Sequence, residues 1–94
     1  MNKLTRLLNG ETFVTKEFGH SMSPLINSGQ QHIIEPATWD TVQKGDIVYC
    51  KVKGAFYTHL VKAINTQKGC LIGSNKGKIN GWTKQVYGKV IKVL

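Results

Sequence analysis

Residues 47–64, IVYCKVKGAFYTHLVKAI, decide the fold of this chain. Residues 47–52 and 56–64 are rich in β-branched and aromatic side chains, which pack well on a pleated sheet. Lys53-Gly54-Ala55 lies between them and supplies the glycine that a tight hairpin turn needs. The stretch therefore predicts two antiparallel strands joined by a short turn, with a further turn at Lys44-Gly45-Asp46 leading into the first strand.

Weaker patterns on either side of this hairpin predict the remaining elements. Leu4, Leu7 and Leu8 share one helical face ahead of Gly10, which predicts a short helix over about residues 2–9. Further strands are predicted at 12–18, 32–36, 70–73 and 87–94, with a polar connection at 39–45 and a loop at 73–81. We therefore expect a mainly β fold, a rolled and largely antiparallel sheet. A short N-terminal helix lies within 1–10 and the β-fold fills 11–94 of a single domain.

The charge balance limits the classes of partner. Thirteen Lys and Arg against five Asp and Glu give a formal net charge of +8, which favours an acidic protein, a nucleic acid or an anionic surface. The lysines are spread along the chain, however, and Arg6 is the single arginine. Because arginine is the preferred residue for forked phosphate and guanine contacts, a solvated lysine surface is the leading interpretation and nucleic-acid binding is the main alternative.

Several absences bear on location and cofactors. The longest apolar runs, such as 47–50, are far shorter than the roughly 20 residues of a membrane-spanning helix. The basic start of the chain also lacks the apolar stretch of a signal peptide. We therefore expect a cytoplasmic protein with no membrane span, in which Cys50 and Cys70 are buried reduced thiols. The Cys and His residues do not have metal-ligand spacing, and we expect neither metal nor cofactor.

The segment GHSMSP contains a serine that can be presented as a nucleophile. Such a serine needs a tight bend, donors for a developing oxyanion and a base within reach. Gly19 permits the tight bend around Ser21. Met22 can pack beneath the bend and hold it in place.

A one-turn helix is predicted directly after this serine. Ser23 is a good N-cap, Pro24 suits the first helical position, and residues 25–28 complete about one turn before Gly29. The free amides and the positive end of this helix would point toward the reacting centre. By itself, the pattern also fits an ordinary helix start with no catalytic meaning.

Three histidines are candidates for the base: His20, His32 and His59. His20 is adjacent to the serine, and sequence neighbours usually point apart, whereas His32 opens a strand and could be a surface residue. His59 shares a strand face with Tyr57 and Val61, where an imidazole can act as a base. The alternative interpretation of His59 is a histidine at the edge of the core, bonded to the backbone.

Several segments, in order, resemble those of the signal peptidases and LexA-type serine proteases. The resemblance covers residues 18–94 and rests on Gly19–Ile26 with its Ser-Met pair, Gly45–Val48, the strand around His59, Ile72–Asn75 and Tyr87–Ile91. It implies that Ser21 is the nucleophile of a dyad that hydrolyses a peptide bond through an acyl-enzyme. The general base would be His59, as in the archaeal and endoplasmic-reticulum signal peptidases, whereas the bacterial signal peptidases and LexA-type proteins carry lysine at this position. Gly19, Met22 and Pro24 would support the site, with backbone amides at Ser21 and near Gly19 as the oxyanion hole.

The chain also departs from the pattern of these families. Ser74 stands where they carry an acidic residue, Leu60 replaces a basic residue, and residues 78–82 offer no carboxylate to orient His59. The short segment before Ser21 is expected to hold neither a membrane anchor nor a DNA-binding domain, so the chain resembles a stand-alone domain of phage or mobile-element type.

Two functions are therefore expected from the sequence. The first is a soluble serine endopeptidase acting on a peptide or protein substrate. The alternative is a catalytically weak or inactive module of the same fold, which grips an acidic host protein or nucleic acid through its basic surface.

Overall fold

A computed structural model describes residues 2–94 and begins with a short helix. Helix α1, Lys3–Leu8, has Asn2 as its N-cap, and the Asn2 side chain accepts a hydrogen bond from the Thr5 amide. Gly10 follows the helix with a φ of +83°, the left-handed conformation that glycine adopts most easily. The predicted helix is thus confirmed. Of the three leucines predicted to share its apolar face, Leu7 is buried and Leu4 is half-buried, whereas Leu8 is 68% exposed.

Within residues 2–94, seven strands make up the rest of the regular structure. They are β1 Phe13–Lys16, β2 Gln31–Pro36, β3 Ile47–Val52, β4 Ala55–Asn65, β5 Gly69–Gly73, β6 Ile79–Thr83 and β7 Val86–Val93. Their order in the single sheet is β1-β2-β7-β3-β4-β5-β6, with every neighbouring pair antiparallel. The prediction of a mainly β, largely antiparallel fold with a short N-terminal helix is confirmed.

The central hairpin forms where the sequence predicts it. Val52 of β3 pairs with Ala55 of β4, so the turn consists of Lys53 and Gly54, with φ values of +50° and +84°. Two successive positive φ values are typical of the two-residue turn that matches the twist of antiparallel strands. Glycine carries no side-chain penalty there, which explains its place in the turn.

The sheet is rolled, so that strands distant in the order come together. Strands β3 and β6 are separated by β4 and β5, yet the Thr83 hydroxyl donates to the carbonyl of Lys51 at 2.6 Å. The amide of Lys51 in turn donates to the carbonyl of Gln85 at 2.9 Å. These bonds tie the end of β6 back to β3 and close the roll.

Two apolar clusters fill the faces of the rolled sheet. The larger consists of Val42, Val48, Cys50, Val52, Val61, Cys70, Ile72 and Val86. The smaller consists of Leu7, Phe13 and Ile34, with Tyr49 and Tyr87 packed against it. Successive residues of β3 point to opposite faces, so this strand contributes to both clusters.

Cys50 and Cys70 are both buried and both free thiols, as predicted. Burial raises the pKa of the Cys50 thiol to about 12, with a smaller contribution from nearby Cys70. Neither thiol is therefore a reactive thiolate near neutral pH.

The helix predicted after Ser21 does not form. The first helical bond would join the Asn27 amide to the Ser23 carbonyl, but the Asn27 amide donates to the side chain of Gln30 and the Ser23 carbonyl accepts from the side chain of Asn75. The segment is instead a series of turns, with a cis peptide bond before Pro24. No helix end therefore faces Ser21, and this part of the prediction is wrong.

The loop predicted over 73–81 is shorter than expected. The Ser74 amide donates to the Lys78 carbonyl at 2.8 Å and closes the loop early. Ile79 then pairs with Gly73, and Gly81 with Ile72, to form β6 at the edge of the sheet. Glycine and asparagine are depleted in strands, so the pairing with β5 overrides the local preference.

No helix within residues 2–94 is long and apolar enough to cross a membrane.

Candidate active site

The two residues proposed from the sequence as nucleophile and base lie together. Ser21 is on the exposed bend between β1 and β2, and His59 is near the middle of β4. The Ser21 Oγ is 3.1 Å from the His59 Nε2, which is within hydrogen-bond reach. The two residues are 38 positions apart in sequence. They come together because the bend packs against β4.

Strand β4 holds the His59 ring in a fixed orientation. His59 lies opposite Val48 of β3 in the register, and its side chain is buried, with 7% of the residue exposed. The ring stacks on Tyr57, two residues earlier on the same face, with centroids 5.0 Å apart and planes 28° from parallel. The face shared by Tyr57 and His59 follows from the two-residue period of a strand.

Asn80 of β6 supplies the third member of the site. Its side-chain oxygen, Oδ1, is 2.7 Å from the His59 Nδ1. Because an amide oxygen can only accept, the His59 Nδ1 carries the hydrogen, and the Nε2 lone pair accepts from the Ser21 hydroxyl. Residues 78–82 offer no carboxylate, as expected, and the Asn80 amide oxygen is the group that contacts the ring.

The loop between β5 and β6 anchors the serine bend. The Asn75 amide donates to the Ser21 carbonyl at 2.9 Å, and the Asn75 side chain donates to the Ser23 carbonyl at 2.9 Å. One residue of this loop thus fixes the backbone at and beyond the nucleophile.

Ser74 gives this loop its shape. The residue is 3% exposed, and its hydroxyl oxygen accepts from the amides of Lys76 and Lys78 at 3.2 and 3.1 Å. The serine that replaces an acidic residue here therefore closes the loop, a task in which a side-chain oxygen without charge suffices.

The three residues predicted to support the site, Gly19, Met22 and Pro24, differ in their contacts and exposure. Gly19 has a φ of +125°, and its amide donates to the Ser28 hydroxyl at 3.0 Å. Met22 is buried beneath the bend, whereas Pro24 is exposed. Since the Gly19 amide is occupied, it is not a free oxyanion donor, whereas no partner for the Ser21 amide is found among residues 2–94.

A pocket opens directly beside Ser21. Its volume is about 40 Å³, and its walls include Met22, Ile26, His32 and Thr58. A recess beside a polar, hydrogen-bonded pair is a place where part of a ligand can bind. The serine hydroxyl, the imidazole and a small recess therefore lie side by side.

Glu17 also lines this pocket, and its carboxyl is ionised near neutral pH. Burial raises the pKa of its carboxyl, but hydrogen bonds from Lys3 and Thr58 and the charge of Lys3 lower that pKa by more, so the net shift is downward. Lys3 and Thr58 both contact the Glu17 Oε1. These bonds link helix α1 to β4 through the carboxylate.

The other two histidines lie outside the Ser21–His59 pair. His20 is exposed beside the serine, and its carbonyl accepts from the Ser23 amide at 3.2 Å. His32 is buried on β2 and lines the pocket. Among residues 2–94, no group of three or more His, Cys, Asp or Glu side chains could hold a metal ion.

Comparison with known proteins gives the family of the chain. A search of curated proteins returns no match. A family model described as Peptidase S24-like matches residues 2–81, a range that contains Ser21, His59 and Asn80. The match covers most of the chain. The mainly antiparallel β fold of the chain is the one expected from the resemblance to LexA-type proteases. The chain therefore belongs to the Peptidase S24-like family and has a serine-peptidase-like fold.

Proposed function

We propose that this chain is a serine endopeptidase in which residues 1–94 act as one peptidase domain. The observation that carries the proposal is the continuous hydrogen-bonded series from Ser21 through His59 to Asn80, with distances of 3.1 and 2.7 Å. A nucleophile, a base and a group that orients the base are the three parts of a catalytic triad. The same roles are filled by Cys, His and Asn in papain-like proteases, so an amide is an adequate third member.

The acylation step follows from this geometry. The Ser21 Oγ attacks the carbonyl carbon of the scissile bond while the His59 Nε2 takes the hydroxyl proton. The resulting tetrahedral intermediate collapses when the protonated His59 gives that proton to the leaving amine. The C–N bond breaks, and the acyl group remains on Ser21 as an ester.

Deacylation repeats the sequence with water. His59 takes a proton from a water molecule that attacks the ester carbonyl, and then returns it to the Ser21 oxygen as the C–O bond breaks. The products are a carboxylic acid and the free hydroxyl of Ser21. Atoms and protons therefore balance without a cofactor.

We assign the oxyanion hole to the backbone amide of Ser21. This amide is close to the carbonyl that its own hydroxyl attacks, and it has no partner among residues 2–94. Each such donor typically contributes about 10²–10³ in kcat. The Gly19 amide has a different task, because its bond to Ser28 fixes the start of the bend.

Peptide-library turnover tests the proposal. Purified wild-type protein and Ser21→Ala are incubated with a mixed peptide library, and new termini are identified by mass spectrometry. We expect cleavage by the wild type and a loss of at least roughly 10³-fold in the variant. Equal turnover by the two proteins would rule out Ser21 as the nucleophile.

A second candidate function is binding of an acidic partner through the lysine surface. The ion pairs among residues 2–94 use Lys3, Arg6 and Lys89, whereas many other lysines are exposed: Lys16, Lys44, Lys53, Lys68, Lys76, Lys78, Lys84 and Lys92. Lys68 and Lys84 lie over the rings of Trp82 and Trp39, so positive charge and aromatic side chains, the two components of single-strand-binding surfaces, occur together there.

Salt dependence distinguishes this candidate from a plain solvated surface. Binding of single-stranded DNA and of an acidic peptide is measured for Ser21→Ala over a range of salt concentrations. Affinity that falls steeply with salt would support the binding function. Failure to bind either acidic probe at low salt would remove it.

A further inference from the structure

The pocket beside Ser21 has a mixed lining. Met22 and Ile26 are apolar lining residues, as expected for a recess that takes a substrate side chain. Besides Ser21 and the exposed Asn27, the polar lining residues are Glu17, His32 and Thr58. The proposed peptidase function does not use these three residues.

His32 carries a buried nitrogen with no partner. The residue is 1% exposed, and its Nε2 has no hydrogen-bond partner within residues 2–94. Its other ring nitrogen, Nδ1, lies 3.3 Å from the carbonyl of Gln30. Since a carbonyl can only accept, Nδ1 carries a hydrogen, and in the neutral imidazole the Nε2 then presents a lone pair.

An unsatisfied buried acceptor is costly and uncommon, and it calls for an explanation. His32 borders the pocket, so a group entering the pocket can supply the missing donor. The protein itself supplies none from its described residues. The unpaired His32 Nε2 therefore indicates that the pocket lacks a hydrogen-bond donor.

The neighbouring polar groups are acceptors as well. The Thr58 hydroxyl donates its hydrogen to Glu17, and Glu17 is ionised because the net shift of its pKa is downward. Glu17, His32 and Thr58 can therefore each accept a hydrogen bond. A ligand that satisfies the unpaired His32 Nε2 brings a hydrogen-bond donor.

The charge of this wall favours a neutral donor over a cation. The ammonium of Lys3 already pairs with the Glu17 carboxylate, so a second cation would meet a neutralised pair and not a free negative charge. The pocket volume of about 40 Å³ limits the occupant to a small group. A short hydroxyl or amide side chain satisfies both conditions.

We propose that this pocket selects a substrate residue with a short donor side chain, serine, threonine or asparagine, and that His32 is the specificity-determining residue. Because Ser21 is itself part of the pocket wall, the selected residue is the one whose carbonyl Ser21 attacks. This inference rests on the proposed peptidase function. It adds the class of substrate.

Two peptides that differ only by threonine or valine at this position test the inference, since the two side chains have the same shape. We expect wild-type kcat/KM to favour threonine by roughly tenfold or more, because sites built around a substrate hydroxyl reject analogues without it. His32→Leu should abolish the preference, and His32→Gln, which keeps an acceptor, should retain part of it. His20→Leu is the matched control at an exposed position and should keep the full preference.

The outcomes separate this inference from the proposed function. Equal kcat/KM for the two peptides, or an unchanged preference in a folded His32→Leu protein, would overturn the role of His32. If His32→Leu does not fold, the ratio of kcat/KM for the threonine peptide to kcat/KM for the valine peptide, measured for the wild type and for His32→Gln, decides whether His32 sets the preference.

If neither peptide is hydrolysed, the peptidase proposal fails. The affinities of Ser21→Ala for the same two peptides then test the pocket. Tighter binding of the threonine peptide supports it, and equal binding overturns it.

Discussion

The His59 Nδ1 lies 2.7 Å from the Asn80 Oδ1, although strands β4 and β6 are separated by β5 in the sheet. The contact exists because the antiparallel β4–β5–β6 meander carries the middle of β6 to the same end of the sheet as His59. It determines which imidazole nitrogen carries the hydrogen. The orientation of the base is thus a consequence of strand order.

Replacement of Asn80 should affect the rate of the chemical step. We expect Asn80→Ala to lower kcat by on the order of 10², with a smaller change in KM, because His59 loses the partner that fixes its tautomer. Asn80→Asp should retain or raise kcat, since a carboxylate accepts the same bond and also stabilises the imidazolium. Steady-state kinetics of the three proteins on one cleaved peptide checks both. An unaltered kcat in a folded Asn80→Ala protein would contradict the role of Asn80.

Asn75 should matter for the position of the nucleophile. Asn75→Ala removes the side-chain bond to the Ser23 carbonyl but keeps the backbone bond to Ser21. We expect a loss of about tenfold to a hundredfold in kcat/KM, because a small displacement of a reacting atom is costly. Lys76→Ala, an exposed neighbour in the same loop, is the control and should be near wild type. If Asn75→Ala and Lys76→Ala lower kcat/KM by similar factors, the side-chain bond of Asn75 has no specific role in positioning Ser21.

The larger apolar cluster should dominate stability. Ile72→Ala removes a fully buried side chain, and we expect it to lower the free energy of unfolding by about 2–5 kcal/mol. Ile64→Ala, at a position that is 42% exposed, should change that free energy by no more than about 0.5 kcal/mol. Urea denaturation of both variants checks the difference. Comparable losses of unfolding free energy in the two variants would contradict the claim that the larger apolar cluster dominates stability.

The buried thiol of Cys50 predicts a loss of stability at alkaline pH. Its pKa is raised from 9.0 to about 12 in the folded protein, because burial disfavours the thiolate. The unfolded chain therefore releases this proton first, and the contribution of Cys50 to stability is full below pH 9 and is lost as the pH rises from 9 to about 12.

Denaturation midpoints of the wild type and Cys50→Ala across that pH range test this prediction. The wild type should lose stability more steeply with rising pH than Cys50→Ala, which has no thiol to titrate. Parallel slopes would mean that Cys50 ionises in the folded state as readily as in the unfolded state.

Most of the fold could be predicted because its central elements carry strong local patterns. The hairpin of β3 and β4 combines β-branched residues with a glycine turn, and Gly10 marks the end of α1. Strand β6 could not be predicted, because Asn80 and Gly81 disfavour a strand and only the pairing with β5 makes one. The absent helix after Ser21 has a similar cause, since Asn75 takes the carbonyl that a helix would use.

The candidate site was predicted in part. Ser21 and His59 were proposed from the bend, the strand face and the family resemblance, and the structure brings them within 3.1 Å. The sequence does not single out Asn80, because the family pattern points to a carboxylate as the orienting group, although an amide oxygen accepts the same bond. The exact partner depends on which residue of β6 faces β4, and only the three-dimensional arrangement gives that.

Covalent labelling of Ser21 tests the central claim most directly. The wild type, Ser21→Ala and His59→Ala are treated with a fluorophosphonate, and the adduct is located by peptide mass spectrometry. We expect a single adduct on Ser21 of the wild type, none in Ser21→Ala, and labelling slower by on the order of 10² in His59→Ala, because the hydroxyl then has no base. Equal labelling rates for the wild type and a folded His59→Ala, or an adduct on a residue other than Ser21, would contradict the claim that His59 activates Ser21.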